Sequence, residues 1–167
     1  MSVIAADFVT RLSGGATNAV GDASLGGLKS ATAASTAIDG LFDPTTAAQA
    51  AAGLIEYRCV YLHNASAADT MTSALVYLSA NTPLAGTTID IGVGTAAVNA
   101  TEQSIANETT APTGVTFSAP ATAATGLALG NIPFGQHHAI WLRRTVTAGS
   151  ASSANDTYTI AYQAETV

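Results

Sequence analysis

Cysteine is nearly absent from this sequence, and Cys59 is the only one. A lone thiol cannot form a disulfide within the chain, so folding in a reducing cytoplasm is expected. Charge is also scarce. Charged residues make up 10% of the chain, against roughly a quarter in an ordinary soluble domain. The balance is acidic, with 11 Asp and Glu against 5 Lys and Arg and a net charge of -6. Phosphate contacts need clustered Lys and Arg, which argues against a nucleic-acid partner. Long apolar runs are missing too. None approaches the roughly 18 residues of a membrane-spanning helix, and no membrane partner is expected. The opening "MSVIAADFVTRLSGG" has no basic start followed by an apolar run, so it is not expected to act as a secretory signal.

What is present is small and neutral. Hydrophobic residues reach 48% but aromatics only 6%. Much of the apolar content is alanine, which buries little area. A core must come from a limited set of Val, Ile, Leu, Phe and Tyr side chains. Thr, Ser, Ala, Gly and Asn then dominate the surface. Such a surface suits a protein that sits in an assembly, and secreted β proteins share it. A chain of 167 residues suits one domain, or a domain with an arm.

Residues 1–50 differ from the rest. "RLSGGATNAVGDASLGGLKSATAASTAIDGLFD" has sparse apolar residues with no sustained period. Alone it cannot bury enough surface to offset its ordering entropy. It reads as an extended arm that orders against the domain or a neighbouring subunit. Val3, Ile4, Phe8, Val9 and Leu12 suit a short strand or docking segment within it. "DPTTAAQAAAG" predicts a short helix, capped by Asp43, with Pro44 at the first helical position and Gly53 at the left-handed stop.

Residues 51–167 read as the folded domain, and from Glu56 the pattern is β. "EYRCVYLHN" sets Tyr57, Cys59 and Tyr61 on one side, against Glu56, Arg58, Val60 and Leu62 on the other. "TSALVYLSA" puts Ala74, Val76 and Leu78 on one face, and "TTIDIGVG" does the same with Ile89, Ile91 and Val93. "TGVTFSA", "AIWLRRTV" and "DTYTIAYQAE" complete the set. Short alternating runs between Gly, Pro, Asn, Asp and Ser turns favour an all-β fold. The expected form is an antiparallel β-sandwich, jelly-roll or Ig-like, with an extended N-terminal arm and one short helix. Thr95 to Gly114 and Thr147 to Thr157 read as loops, the second closing a hairpin between the last two strands.

The stretch "GQHHAIWLRRTV" holds two of the three histidines, the only tryptophan and two of the five basic residues. On a strand, His137, Ala139, Trp141, Arg143 and Thr145 share one face, and His138, Ile140, Leu142, Arg144 and Val146 the other. The two histidines therefore point apart and are poorly placed for one metal. Arg144 falls at the edge of the core and needs a carboxylate or carbonyl partner. Trp141 and Arg143 suit a stacked or interfacial patch. Cys59 and His63 share a face but lie roughly 13 Å apart along an extended strand, too far for a common zinc.

Other chemistry finds little support. No Gly-x-Ser-x-Gly elbow is present. Asp22, Asp39, Asp43, Glu102, Glu108 and Asp156 fall in the arm or in loops and read as solvated acids, not as a glycosidase pair. "GVGTAA" has the spacing of a dinucleotide fingerprint, but a poor helical pattern follows and no acid lies about 20 residues on. "NAS", "NAT", "NET" and "NDT" are formal glycosylation acceptors, expected by chance in a chain so rich in Ser and Thr. No catalytic residues, cofactor or metal are assigned, and the chain is not expected to be an enzyme.

"EYRC", "APTGVTFSAP" and "IPFGQHHAIWLRR" are the most specific segments of a wider pattern that begins at "RLSGGATNAVGDASLGG" and includes "NTPLAGTTIDIGVGT". From about Arg11 to Val146 the chain resembles a type of small virion structural protein of tailed bacteriophages. The resemblance implies a non-enzymatic particle component, assembled in the host cytoplasm, and carries over no functional residues. The expected role is a capsid decoration or cement protein on the head exterior. Its partners would be the major capsid protein or other virion proteins, and it would itself be a homo-oligomer, with a trimer favoured. A tail, collar or baseplate component is the alternative, and a carbohydrate- or receptor-binding module a further one. Trp141, Arg143, Phe8, Leu12, Leu41 and Phe42 are the candidate interface residues. A chain lacking residues 1–40 is expected to leave a folded domain that fails to attach to particles.

Overall fold

In the computed structural model, residues 3–37, 40–81, 86–151 and 157–166 are described. Asp39 and Asp156, the "NDT" acceptor except Thr157, and the middle of the 147–157 loop lie outside them. The fold is mostly β, with three antiparallel sheets and one short helix. The strands are β1 (Phe8–Leu12), β2 (Gly26–Gly27), β3 (Leu54–Asn64), β4 (Met71–Ala80), β5 (Thr87–Val93), β6 (Glu102–Ser104), β7 (Leu127–Ile132), β8 (His137–Val146) and β9 (Thr159–Thr166). A four-stranded sheet runs β1-β3-β8-β5, a three-stranded sheet β7-β4-β9, and β2 pairs β6.

The two larger sheets share one core. Val60, Leu62, Ile140, Leu142, Ile89 and Ile91 from the first sheet meet Met71, Ala74, Val76, Leu78, Leu129 and Ile132 from the second. The faces follow the alternation in the sequence. β4 contains the exception. Met71 and Ala74 are both buried, although three residues apart. A register shift lies between them, and Ser73 takes a positive φ of 51°. The bulge adds one residue and returns both side chains to the core.

The four-stranded sheet is covered on its other face as well. Tyr57, Cys59, Tyr61, Ala139 and Trp141 form a second cluster, closed by Ile105, Leu25, Val115 and Phe117. This cover comes from the N-terminal segment and from residues 102–118, joined by the β2–β6 ladder. Gly26 sits where the two segments meet. Its φ is +89°, and a β-carbon there would lie 1.9 Å from the Gln103 carbonyl oxygen, so glycine is required. Gly92 serves the same approach, since a β-carbon on it would lie 2.5 Å from Val115 Cγ1.

Residues 3–37 therefore lie on the body of the same chain. β1 pairs β3 from Phe8↔Asn64 to Leu12↔Val60. Its outer edge is occupied by residues 30–34, through Ser30 N–H to Leu12 O at 2.8 Å, Leu12 N–H to Thr32 O at 3.0 Å and Ala34 N–H to Thr10 O at 2.8 Å. Three serines inside the cover are fully buried, Ser13, Ser24 and Ser30. Ser13 Oγ donates to Cys59 O at 2.8 Å and accepts from Gly26 N–H at 3.0 Å. Small hydroxyl side chains can thus supply internal order that apolar content alone could not.

Several local expectations need correction. The helix spans Ala47–Ala52, and Thr46 caps it in place of Asp43. Thr46 Oγ1 accepts from Gln49 N–H while Gln49 Oε1 accepts from Thr46 N–H, a reciprocal capping box. Gly53 terminates the helix at φ 81°, as its position suggested. Residues 147–157 do not close a hairpin, because β8 and β9 belong to different sheets. "TGVTFSA" contributes one bridge, Ile91↔Ser118, in place of a strand. β6 interrupts the long loop after Thr95.

This packing changes what truncation should do. Removing residues 1–40 takes out an edge strand and the roof over Tyr61 and Trp141, each 0% exposed. Uncovering one such aromatic alone forfeits about 1.5–3 kcal/mol. The truncated chain is expected to lose its cooperative thermal transition in calorimetry. A cooperative transition within about 5 °C of the full-length chain would disprove the covering role.

Candidate functional site

β8 places Trp141 and Arg143, and its register with β3 fixes what each can reach. Glu56↔Arg144, Tyr57↔Arg143, Cys59↔Trp141, Tyr61↔Ala139 and His63↔His137 are direct pairs. Trp141 lies inside the second cluster and is 0% exposed, so it has no surface to offer a partner. Its indole N–H meets no acceptor in hydrogen-bonding geometry, though it helps to hold the nearby Glu102 ionised. Arg143 is partly exposed and pairs Asp90 across β5, with Nη2–Oδ2 at 2.7 Å. Its guanidinium carbon lies 5.1 Å from the centre of the Phe117 ring. Trp141 and Arg143 therefore share a face without forming a common patch.

The other four residues face inward too. Phe8 stacks on Tyr162 at 6.3 Å between ring centres, and Leu12, Leu41 and Phe42 are buried. Phe42 holds the most connected position. Arg58 and Arg144 both lie over its ring, at 5.3 Å and 4.8 Å, and Tyr158 meets it edge-on. Arg144 donates through Nε to Glu56 Oε2 at 2.8 Å, through Nη2 to the same oxygen, and to Asp43 O at 2.8 Å. These are the carboxylate and carbonyl partners that its place at the core edge called for. Arg58, fully buried, donates to Leu41 O, Tyr57 O and Glu108 Oε2.

Two loop acids expected to be solvated are thus structural. Glu108 closes the Arg58 network at 2.6 Å. Glu102 is 2% exposed and accepts from Ala96 N–H at 2.9 Å and Thr95 Oγ1 at 3.1 Å. Burial alone would raise its pKa, but hydrogen bonds from Ala96, Gln103 and Thr95 outweigh it and hold the carboxyl below its ordinary range. It thereby fixes the turn after β5. A β-carbon on Gly94 would meet the Glu102 carboxylate at 2.4 Å. The second glycine of "GVGTAA" leaves room for that carboxylate, and no helix follows it.

Beside Phe42 the two sheets part, leaving a cleft of about 760 Å³. Val60, Ile89, Val146 and Ile160 form an apolar floor, Tyr158 and Arg144 stand at its wall, and Thr and Ser hydroxyls rim it. Burial keeps the Tyr158 phenol protonated well above its ordinary range. Arg144 is already engaged by Glu56. The cleft can receive an apolar group, and its polar groups serve to hold the walls.

Cys59 is inert in this setting. Burial first, and the Glu102 charge second, push its thiol above the ordinary range. Among the described residues no group of three or more His, Cys, Asp or Glu side chains is arranged to hold a metal ion. No helix among them is long and apolar enough to cross a membrane. Comparison with protein families, with curated proteins and with solved structures finds no match to this chain.

Glu56→Ala leaves Arg144 buried without its carboxylate and is expected to cost about 3–5 kcal/mol. Asp90→Asn breaks a partly solvated pair and should cost under about 1 kcal/mol. Urea unfolding of the two variants measures the contrast, and equal losses would refute the buried-clamp account.

Proposed function

We propose that the chain is a bacteriophage virion structural protein, a capsid decoration or cement protein that binds the head exterior and stabilises it. The resemblance over Arg11 to Val146 suggests the particle. One structural observation supports a contact role. The N-terminal cover is braced from within by buried Ser13, Ser24 and Ser30, yet it turns Val20 and Leu28 outward, 56% and 57% exposed. A braced support that presents large apolar side chains among small neutral ones suits a surface awaiting a partner. The scarcity of charge fits the same role, because Thr, Ser and Ala cost little to desolvate at a contact.

In this reading the two facing sheets are a β-sandwich. Its order β1-β3-β8-β5 over β7-β4-β9 is its own variant of the plan shared by jelly-roll and immunoglobulin-like bodies. It serves as a passive block that occurs as a homo-oligomer of cyclic symmetry, a trimer by preference. A sugar- or receptor-binding role would draw on exposed aromatics, but Trp141, Tyr61 and Tyr57 are spent inside, and Phe134 is the one large aromatic among the described residues that stands exposed.

Sedimentation with empty capsids tests the proposal. The wild-type chain should pellet with heads and raise their melting temperature. Val20→Asp combined with Leu28→Asp should abolish pelleting without changing the chain's own unfolding. Full pelleting by that double variant, or binding only to tails, would reject the head-decoration role.

A further inference from the structure

The chain holds five basic side chains. Arg58, Arg143 and Arg144 are each locked to a carboxylate. The other two, Arg11 and Lys29, have no acid partner among the described residues, and they lie together. Arg11 on β1 is opposite Tyr61. Tyr61 is two residues from His63, so Arg11 and His63 are diagonal neighbours on one face. His63 is directly opposite His137, whose ring meets the Tyr61 ring edge-on at 4.9 Å. The Tyr61 hydroxyl donates to Gly27 O, which lays residues 27–29 over the same face and brings in Lys29.

Four buried side-chain nitrogens among the described residues lack a hydrogen-bond partner. Three of them belong to this cluster: Arg11 Nε, His63 Nδ1 and His137 Nδ1. Buried donors are ordinarily satisfied, and each orphan calls for an explanation. Arg11 makes one hydrogen bond, to Ala31 O. Lys29 reaches only Ser30 O, at 3.4 Å. The acids around the cluster face elsewhere. Asp7 gives its carboxylate to Ile4 N–H, and Glu102 gives its own to Thr95 and Ala96. His138 on β8 turns its ring to Leu129 O and Ala96 O.

We propose that Arg11, Lys29, His63 and His137 form a binding site for a small oxyanion, a phosphate or a carboxylate group. All four residues keep part of their surface exposed, although the three orphan nitrogens themselves are buried. A guanidinium, an ammonium and two imidazoles supply donors from β1, the cover, β3 and β8. A divalent metal suits the site poorly, because the two cations beside the imidazoles repel it. An anion removes that repulsion and offers acceptors to the unpaired donors around it.

The charge balance gives the site a pH signature. Burial and then the Lys29 charge hold His137 down at about 4. Burial, then Lys29 and Arg11, also lower His63. An anion favours the protonated rings, so the bound state takes up protons. Affinity must therefore rise as pH falls toward the ordinary histidine range.

The test is an NMR titration of the full chain, reading the imidazole C2 protons, with inorganic phosphate in one arm and acetate in the other. Sodium chloride at matched ionic strength is the control. His63 and His137 should shift with saturation in at least one arm, and His138 should not. Acetate, whose charge is the same at both, should bind tighter near pH 6 than near pH 8. Lys29→Gln, at a partly exposed position, should weaken binding about tenfold, the size of one charge-assisted contact, while the circular dichroism spectrum stays unchanged. Saturation by phosphate alone or by acetate alone identifies the oxyanion. No saturable shift in either arm, a shift equalled by sodium chloride, or undiminished affinity in Lys29→Gln would overturn the proposal.

Discussion

The rest of the structure depends on the ladder between β3 and β8, which is buried on both faces. A sheet with one wet face needs a single partner layer. This one needs two, because Val60, Leu62, Ile140 and Leu142 face one way while Tyr61, Cys59 and Trp141 face the other. The three-stranded sheet supplies the first layer. The second has no regular sheet large enough to do it, so the N-terminal segment and residues 102–118 are recruited as a roof. The close approaches at Gly26 and Gly92, and the buried serines, all follow from laying irregular backbone flat on a strand pair.

The same constraint dictates where the few charges go. Irregular cover segments bring polar groups toward the interior, and long paired strands carry Glu56, Arg58 and Arg144 with them. Each buried charge is therefore matched. Glu56 holds Arg144, Glu108 holds Arg58, and backbone and hydroxyl donors hold Glu102. Phe42 lies against both guanidinium groups and ties residues 41–42 to β3 and β8. With three of the five cations used this way, the unmatched pair beside His63 and His137 stands out as a local excess of positive charge on an acidic chain.

Much of this was legible in the sequence. The faces of β3, β5 and β8 follow strict alternation, so Val60, Leu62, Ile140 and Leu142 could be assigned to a core without coordinates, and the partner required by Arg144 could be foreseen. The misses share a physical origin. Alternation gives two faces but not whether each is wet, so Trp141 read as interfacial when a second roof covers it. β7 is hidden in the sequence because Gly130, at φ 77°, and Asn131 break its apolar pattern. Ser73 bulges β4 without the glycine that ordinarily marks a positive φ. The cover looked incapable of order because its order rests on hydrogen-bonded serines and not on apolar area. Taken alone, β8 shows only that His137 and His138 point apart. The partner of His137, His63, lies on β3 with Arg11 diagonal to it on β1, and only the register brings the three together.

The β3–β8 pairing also sets a schedule for synthesis. Glu56 and Arg144 are separated by 88 positions, so the central strand leaves the ribosome long before its partner exists. Until β8 emerges, an eleven-residue strand with two greasy sides has only β1 beside it. Non-local pairing of this kind slows folding and lengthens the interval in which a nascent chain can stick to its neighbours. A body built this way ripens late, as a whole, once its distant central strands have both been made.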